Sequence, residues 1–273
     1  MKELIKKSVI LLLFATGVLI LTYPFYIHAL NNIVDQFQAD KIQQTLSERQ
    51  RKERLTQKKK ENERVRENGL LIGADPFSEG SENELTDKEY REHLVGTVNI
   101  PKISINIPLF DKTNSRFLEK GATILSDSSF PCKEIGTHTI ISAHSGLPER
   151  RLFTDLEKLE LGDVFVLFVL GEKLAYEVDS INVVKPDDTS ILKLVKDKNL
   201  ATLVTCTPYS INSHRLLVTG HRVPYTRSIE QKIEKQNKQS KWLNTLMVTG
   251  FFLFFIIVII CIVRMIRSHV RRI

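Results

Sequence analysis

The sequence has little cysteine, three in 273 residues, and none of it is spaced as a disulfide scaffold or a zinc knuckle. Glycine (12) and proline (9) are too sparse for a collagen-like or low-complexity chain. No internal repeat is present, and no acidic cluster argues for calcium. With 42% hydrophobic and 26% charged residues the chain is not disordered overall. The charge balance is basic, 39 Lys+Arg against 32 Asp+Glu. That excess lies at the two ends and in one helix-like stretch, which argues against nucleic acid as the partner. The length suits one main domain with additions.

Two long apolar runs stand out. Residues 8–27 follow Lys2, Lys6 and Lys7, and residues 243–263 carry no charge and precede Arg264, Arg267, Arg271 and Arg272. A bilayer core needs about 20 apolar residues in a helix, so the second run is a membrane helix. The strongest part of the first, 9–21, has the size of a signal-peptide core, and Pro24 interrupts the rest of the run. Its small-residue cleavage pattern is poor, which favours a retained anchor. Basic residues outside both runs put both termini in the cytoplasm and the intervening chain outside.

Residues 41–68 mix charges of both signs with no Pro or Gly, and sparse apolar positions such as Ile42, Leu46, Leu55 and Val65. They read as a solvated helical spacer, with lipid head groups as a second reading. Residues 69–83 have loop chemistry, and 85–94 read as a helix with Thr86 as N-cap. Beyond them the pattern turns β: strands are expected at 95–100, 105–110, 137–143, 164–170, 174–184, 201–205 and 215–223, with helical stretches at 115–120 and 152–159. Seven or eight strands without βαβ alternation predict a closed barrel or sandwich.

Cys261 lies in the second apolar run, and Cys132 lies in a loop with no acid–base pattern around it. Cys206 ends an apolar strand and opens a polar turn. Such a thiol reads as a small buried hydrophobe or as a presented nucleophile, and partners must decide. Arg215 opens the next strand; if that strand is the antiparallel neighbour, both side chains lie at the same end of the sheet. A guanidinium there lowers a thiol pKa and binds an oxyanion, although alone it reads as a surface ion-pair residue. His144 also follows an apolar strand. His28 and His269 flank the apolar runs, His93 is helical, His138 begins the strand that His144 ends, and His214 and His221 compete through their nearness to Arg215.

The run TLVTCTPYSINSHRLLVTGHRVPY resembles the signature of the sortases, cysteine transpeptidases of Gram-positive cell surfaces, and most of all their class C, the pilin polymerases. VGTVNIPKISINIPLF is similar to that family's first two strands and ISAHSGLP to its histidine turn. The resemblance implies a mainly β, closed sortase-like barrel of about eight strands with short helices, an N-terminal helical and lid region, and two flanking transmembrane helices. It divides the chain into a cytoplasmic tail (1–7), a membrane helix (8–27), a charged helical spacer (28–68) and a lid loop (69–84). A catalytic barrel (85–225), a linker (226–242), a membrane helix (243–263) and a basic cytoplasmic tail (264–273) complete it.

By the same resemblance Cys206 is the nucleophile, His144 the acid–base group and Arg215 the oxyanion and positioning residue. Asp75-Pro76-Phe77 is then the lid motif, Asp75 pairing with Arg215 and Phe77 covering Cys206. The substrate is an LPxTG-like sorting signal cleaved between Thr and Gly. A thioester forms, and the acceptor is a lysine amine on another pilin subunit. No cofactor or metal is expected. The family often has Gly before the histidine and Arg or Ala after it; here they are Ala143 and Ser145, which alters the pocket rim. The alternatives are a housekeeping sortase that joins proteins to peptidoglycan precursors, and a non-enzymatic two-anchor ectodomain in which Cys206 is inert.

Overall fold

The computed structural model of the protein describes residues 2–70, 75–77 and 85–270. They form two compact units, one of Val34–Leu147 with Arg151–Lys238, the other of the chain up to Ile33, Pro148–Arg150 and the chain from Gln239. Three helices come first: α1 (Lys2–Thr45), α2 (Glu48–Asn68) and α3 (Asp87–His93). Strands β1 (Leu94–Ile100), β2 (Ile105–Phe110), helix α4 (Ser115–Lys120) and strands β3 (Ala122–Ile124) and β4 (Thr137–Ser142) come next. Then come β5 (Val164–Val169), β6 (Glu172–Val184), β7 (Asn199–Thr207), β8 (His214–Val223) and helix α5 (Arg227–Val270).

The eight strands close into a barrel in the order β1-β2-β3-β4-β7-β8-β6-β5. Pairing is antiparallel except for β2 with β3 and β4 with β7. Alternation of side chains along each strand sends Ile141, Ala201, Leu203 and Val218 into the barrel, all fully buried. Burying a side chain of that size contributes about 1.5–3 kcal/mol, so this wall is stiff. The opposite faces of β4, β7 and β8 are buried as well, under the chain that connects β6 to β7. That double burial explains why residues 199–206 read as an almost continuous apolar run. The expected strands are present; β3, only three residues long and without alternation of its own, escapes the pattern.

Four expectations need correction. The stretch 28–68 is not one solvated spacer, because α1 ends at Thr45 and a Ser47–Gln50 capping box starts α2. Helix α2 is docked on the barrel. Lys58 pairs with Asp111 (3.1 Å), and Lys59 and Arg66 with Glu134 (3.1 and 3.4 Å). Asn62, 1% exposed, bonds the backbone N–H and carbonyl of Phe130 (2.7 and 2.9 Å). Helix α1 runs through Pro24 unbroken, at the loss of one backbone donor. The stretch 226–242, expected as a linker, is the start of α5, with Ile233 packed on Val166 and Ala175. The helix expected at 152–159 is a single 3-10 turn, Leu156–Lys158. Of the loop 69–84, residues 71–74 and 78–84 lie outside the described residues.

In the other unit, α1 and α5 each contain a stretch long and apolar enough to cross a membrane, within Val9–Thr45 and Arg227–Ser268. Their apolar side chains point outward, as do Leu21 (76% exposed) and Phe252 (61%), which suits hydrocarbon rather than water. The rings of Tyr26 and Phe251 meet at 4.1 Å.

Candidate active site

The outer face of β4, β7 and β8 carries three rungs of side chains. Across β7 and β8 the register pairs Thr202 with Thr219, Val204 with Leu217, and Cys206 with Arg215. Directly opposite residues share a face, so Cys206 and Arg215 stand side by side, as their expected positions at one sheet end require. Strand β4 runs parallel to β7, with Ser142 opposite Val204. Two residues further on in each chain, His144 comes level with Cys206. The turn is strapped down on both sides: Thr205 Oγ1 donates to the Ala143 carbonyl and Ser145 Oγ to the Cys206 carbonyl, each at 2.7 Å. Ser145, noted from sequence only as a departure in the pocket rim, thus ties the histidine turn to the strand that bears the thiol.

The other histidines lie elsewhere. His93 pairs with Asp111 (2.9 Å), His221 with Asp179 (3.2 Å), and His214 sits with Ser213 at the exposed start of β8. His138 lies one step below these three rungs, opposite Leu200. Cys132 is a free, buried thiol beside Asn62 Nδ2 (3.4 Å), and Cys261 is free as well. Among the described residues no group of three or more His, Cys, Asp or Glu is placed to hold a metal ion.

The tripeptide Asp75-Pro76-Phe77 sits on this rung. Arg215 Nε donates to Asp75 Oδ1 at 3.0 Å and Nη2 to Asp75 Oδ2, a two-pronged ion pair. Nη1 donates to the carbonyls of Asn212 (2.9 Å) and His214 (2.8 Å), which fixes the fork. The Phe77 ring lies 5.3 Å from the His144 ring and 5.2 Å from the guanidinium carbon. Pro76 lines an apolar trough with Leu125, Ile140, Val204, Leu217 and Leu192, and Phe77 packs on the same cluster. About 40 Å³ of space remains there, room for a few waters and not for a peptide.

The tripeptide also changes the electrostatics. Burial pushes the Cys206 thiol above its ordinary range; Arg215 pulls it down, and Asp75 pushes it up again. Burial holds His144 below the ordinary imidazole range, against the pull of Glu119. Burial opposes the charge of Arg215, but the bond it donates to Asp75, together with the negative charges of Cys206 and Asp75, outweighs this and holds the guanidinium charged. Covered in this way, the pair is a neutral thiol and a neutral imidazole rather than the thiolate and imidazolium that the residue types alone suggest. The chemistry on offer is nucleophilic attack by sulfur with an acid–base partner.

A barrel of this order with a strand-end thiol beside an arginine and level with a histidine is the frame of a thiol-based acyl transferase. Residues 98–223 match the sortase domain. Sortase C of Streptococcus pneumoniae is 37% identical, with a TM-score of 0.61 over 72% of this chain and 99% of that one. Sortase C1 of GBS pilus island 1 is 32% identical, with a TM-score of 0.62 over 72% and 94%. Sortase D of Bacillus subtilis is 29% identical over 55% of this chain and 75% of its own. The chain belongs to the sortase family of cysteine transpeptidases, and its structural neighbours are class C sortases associated with pilins.

Proposed function

We propose that the protein is a membrane-anchored, pilin-polymerising sortase in which Cys206, His144 and Arg215 carry the chemistry and Asp75, Pro76 and Phe77 form a lid. The single observation behind this reading is the tripeptide itself: a segment of the chain's own sequence lines the trough, engages the arginine and lays a ring beside the histidine. When the lid leaves, Asp75 no longer raises the thiol and the site regains water. Arg215 and an imidazolium then favour the thiolate.

The Cys206 sulfur attacks the Thr carbonyl carbon of an LPxTG-like sorting signal, forming a C–S bond. Arg215, released from Asp75, takes the developing oxyanion. The Thr–Gly C–N bond breaks, and His144 gives its proton to the departing glycine amine. A lysine amine of a second pilin subunit attacks the thioester, His144 removes its proton, and an isopeptide bond replaces the C–S bond. Both substrates are membrane-held before the reaction, so an enzyme anchored by α1 and α5 meets them at raised effective concentration. Both termini lie in the cytoplasm and the barrel lies outside, by the basic residues that flank each apolar run.

The test is the product formed by the full-length enzyme in membranes with a pilin that carries both an LPxTG-like signal and lysines. A ladder of covalent pilin multimers supports the reading. Single chains joined to peptidoglycan precursor would make the enzyme a housekeeping sortase, and no product would leave a non-enzymatic ectodomain.

A further inference from the structure

Three rungs below the thiol, His138 is buried at 1% exposure, opposite Leu200, and both ring nitrogens are engaged. Nδ1 lies 2.8 Å from the Lys193 carbonyl, and Nε2 2.7 Å from Thr202 Oγ1, itself 2.8 Å from Thr219 Oγ1. A carbonyl only accepts, so Nδ1 carries the proton; in the neutral ring Nε2 then accepts from Thr202, and Thr202 accepts from Thr219. The four groups make one directed chain from β8 through β7 and β4 into the connection between β6 and β7. Burial, which disfavours the charged ring, agrees with this tautomer.

That connection, residues 185–198, forms one wall of the trough. Its other hydrogen bonds are short-range turns, among them Leu192 N–H to the Thr189 carbonyl (3.0 Å) and Lys198 N–H to the Val195 carbonyl (3.1 Å). Among the described residues, two hydrogen bonds tie it to the barrel. One, from Gly136 N–H to the Lys198 carbonyl (2.9 Å), lies at its very end. The other is from His138 to Lys193, the residue after Leu192. Leu192 is 9% exposed and packs on Val204 and Leu217 of the middle rung and on Ile140 of the rung below, all on the same face. His138 and Ile140 share that face of β4 by alternation.

We propose that His138 is a positioning residue for the donor peptide. It sets the height of the Leu192 wall above the middle rung, and so the width of the trough in which the sorting signal lies. It touches neither thiol nor substrate and acts through the Lys193 carbonyl. This rests on the reading of the trough as the peptide's seat, and the test separates the two.

The measurement is kcat and KM for a Leu-Pro-Ala-Thr-Gly peptide with hydroxylamine as acceptor, on the full-length protein in detergent carrying Asp75→Ala and Phe77→Ala so that the trough is open. His138→Leu and His138→Asn have nearly the same shape, but only Asn keeps a donor for the Lys193 carbonyl. His138→Leu raises KM roughly tenfold, the scale of one buried hydrogen bond, with kcat within about twofold. His138→Asn stays within about threefold of the parent, and the rate of Cys206 alkylation by iodoacetamide is unchanged in both. Leu192→Ala is the control for the seat and raises KM as well. If Leu192→Ala raises KM and His138→Leu does not, or if Leu and Asn are equally impaired, the positioning role is refuted alone. If His138→Leu lowers kcat and thermal stability with KM unchanged, His138 is merely structural. If Leu192→Ala leaves KM unchanged, the trough is not the seat and both readings fall.

Discussion

Two segments cover the catalytic face, and they are held in different ways. Among the described residues the tripeptide is seated by the ion pair of Asp75 with Arg215 and by the Phe77 ring, which lies beside His144 and packs on the Ile140–Leu192–Val204–Leu217 cluster. The β6–β7 connection is held from beneath, by a buried histidine and by Leu192 in an apolar cluster. The Asp75–Arg215 pair is mostly buried, 19% and 10% exposed at the side chains. Its geometry is good, but both charges lose water when it forms, and the net gain of such a pair is small. A ring that is only partly buried adds less than the ~1.5–3 kcal/mol of a fully buried one, before ordering costs. In the proposed function one is a gate and the other a wall, over a floor of three strands.

If the floor carries the chemistry, removing its thiol outweighs anything done to either cover. Cys206→Ala should abolish transpeptidation, a loss of several orders of magnitude, with the melting temperature preserved. His144→Ala should block both thioester formation and its resolution, while His214→Ala and His221→Ala remain active. Appreciable pilin polymerisation by a folded Cys206→Ala protein would break the account at its base.

The gate is tested next. Asp75→Ala with Phe77→Ala should speed alkylation of Cys206 by a small reagent roughly tenfold, for a closure of about 1.4 kcal/mol. The pH profile should move too. In the closed protein burial and Asp75 raise the thiol, so the alkylation midpoint lies above the ordinary thiol range, and the double variant should shift it downward. By linkage, a thiol raised by closure stabilises the closed form while it is protonated. That contribution is lost as pH rises through the raised value, so the lid loosens in alkali. An unchanged rate and an unchanged midpoint would mean that the tripeptide does not gate the thiol.

The smallest effects are expected away from the covers. Cys132→Ala removes a sulfur packed under α2 and should leave activity intact, at a stability cost of about 1 kcal/mol read by thermal melting. Cys261→Ala, on the apolar part of α5, should change neither.

Much of the floor was legible in the sequence. Alternation in residues 201–206 and 215–219 puts Thr202, Val204, Cys206, Arg215, Leu217 and Thr219 on one face once the strands are antiparallel neighbours. The covers were not legible from pattern. Asp75-Pro76-Phe77 is an ordinary turn until a resemblance singles it out, because its partner Arg215 is 140 residues away. Helix α2 looked like a solvated spacer because its grip on the barrel is mostly polar: Asn62, Lys58 and Lys59 carry it, and the sparse Leu55, which packs on the core, is too little of a stripe to read. His138 looked like the first residue of a strand. The signal that could have found it is parity, since 138, 140 and 142 fall on one face of β4.

The most direct test of the central claim, a thiol on a fixed floor guarded by the chain's own tripeptide, is intact-mass spectrometry of the full-length protein. Wild type and the Asp75→Ala, Phe77→Ala variant are compared during reaction with a Leu-Pro-Ala-Thr-Gly peptide. The account predicts an acyl adduct that lacks the peptide's glycine, mapped to Cys206, released by hydroxylamine, and formed about tenfold faster in the variant. No adduct at Cys206 in either protein, or equal rates in both, would contradict it.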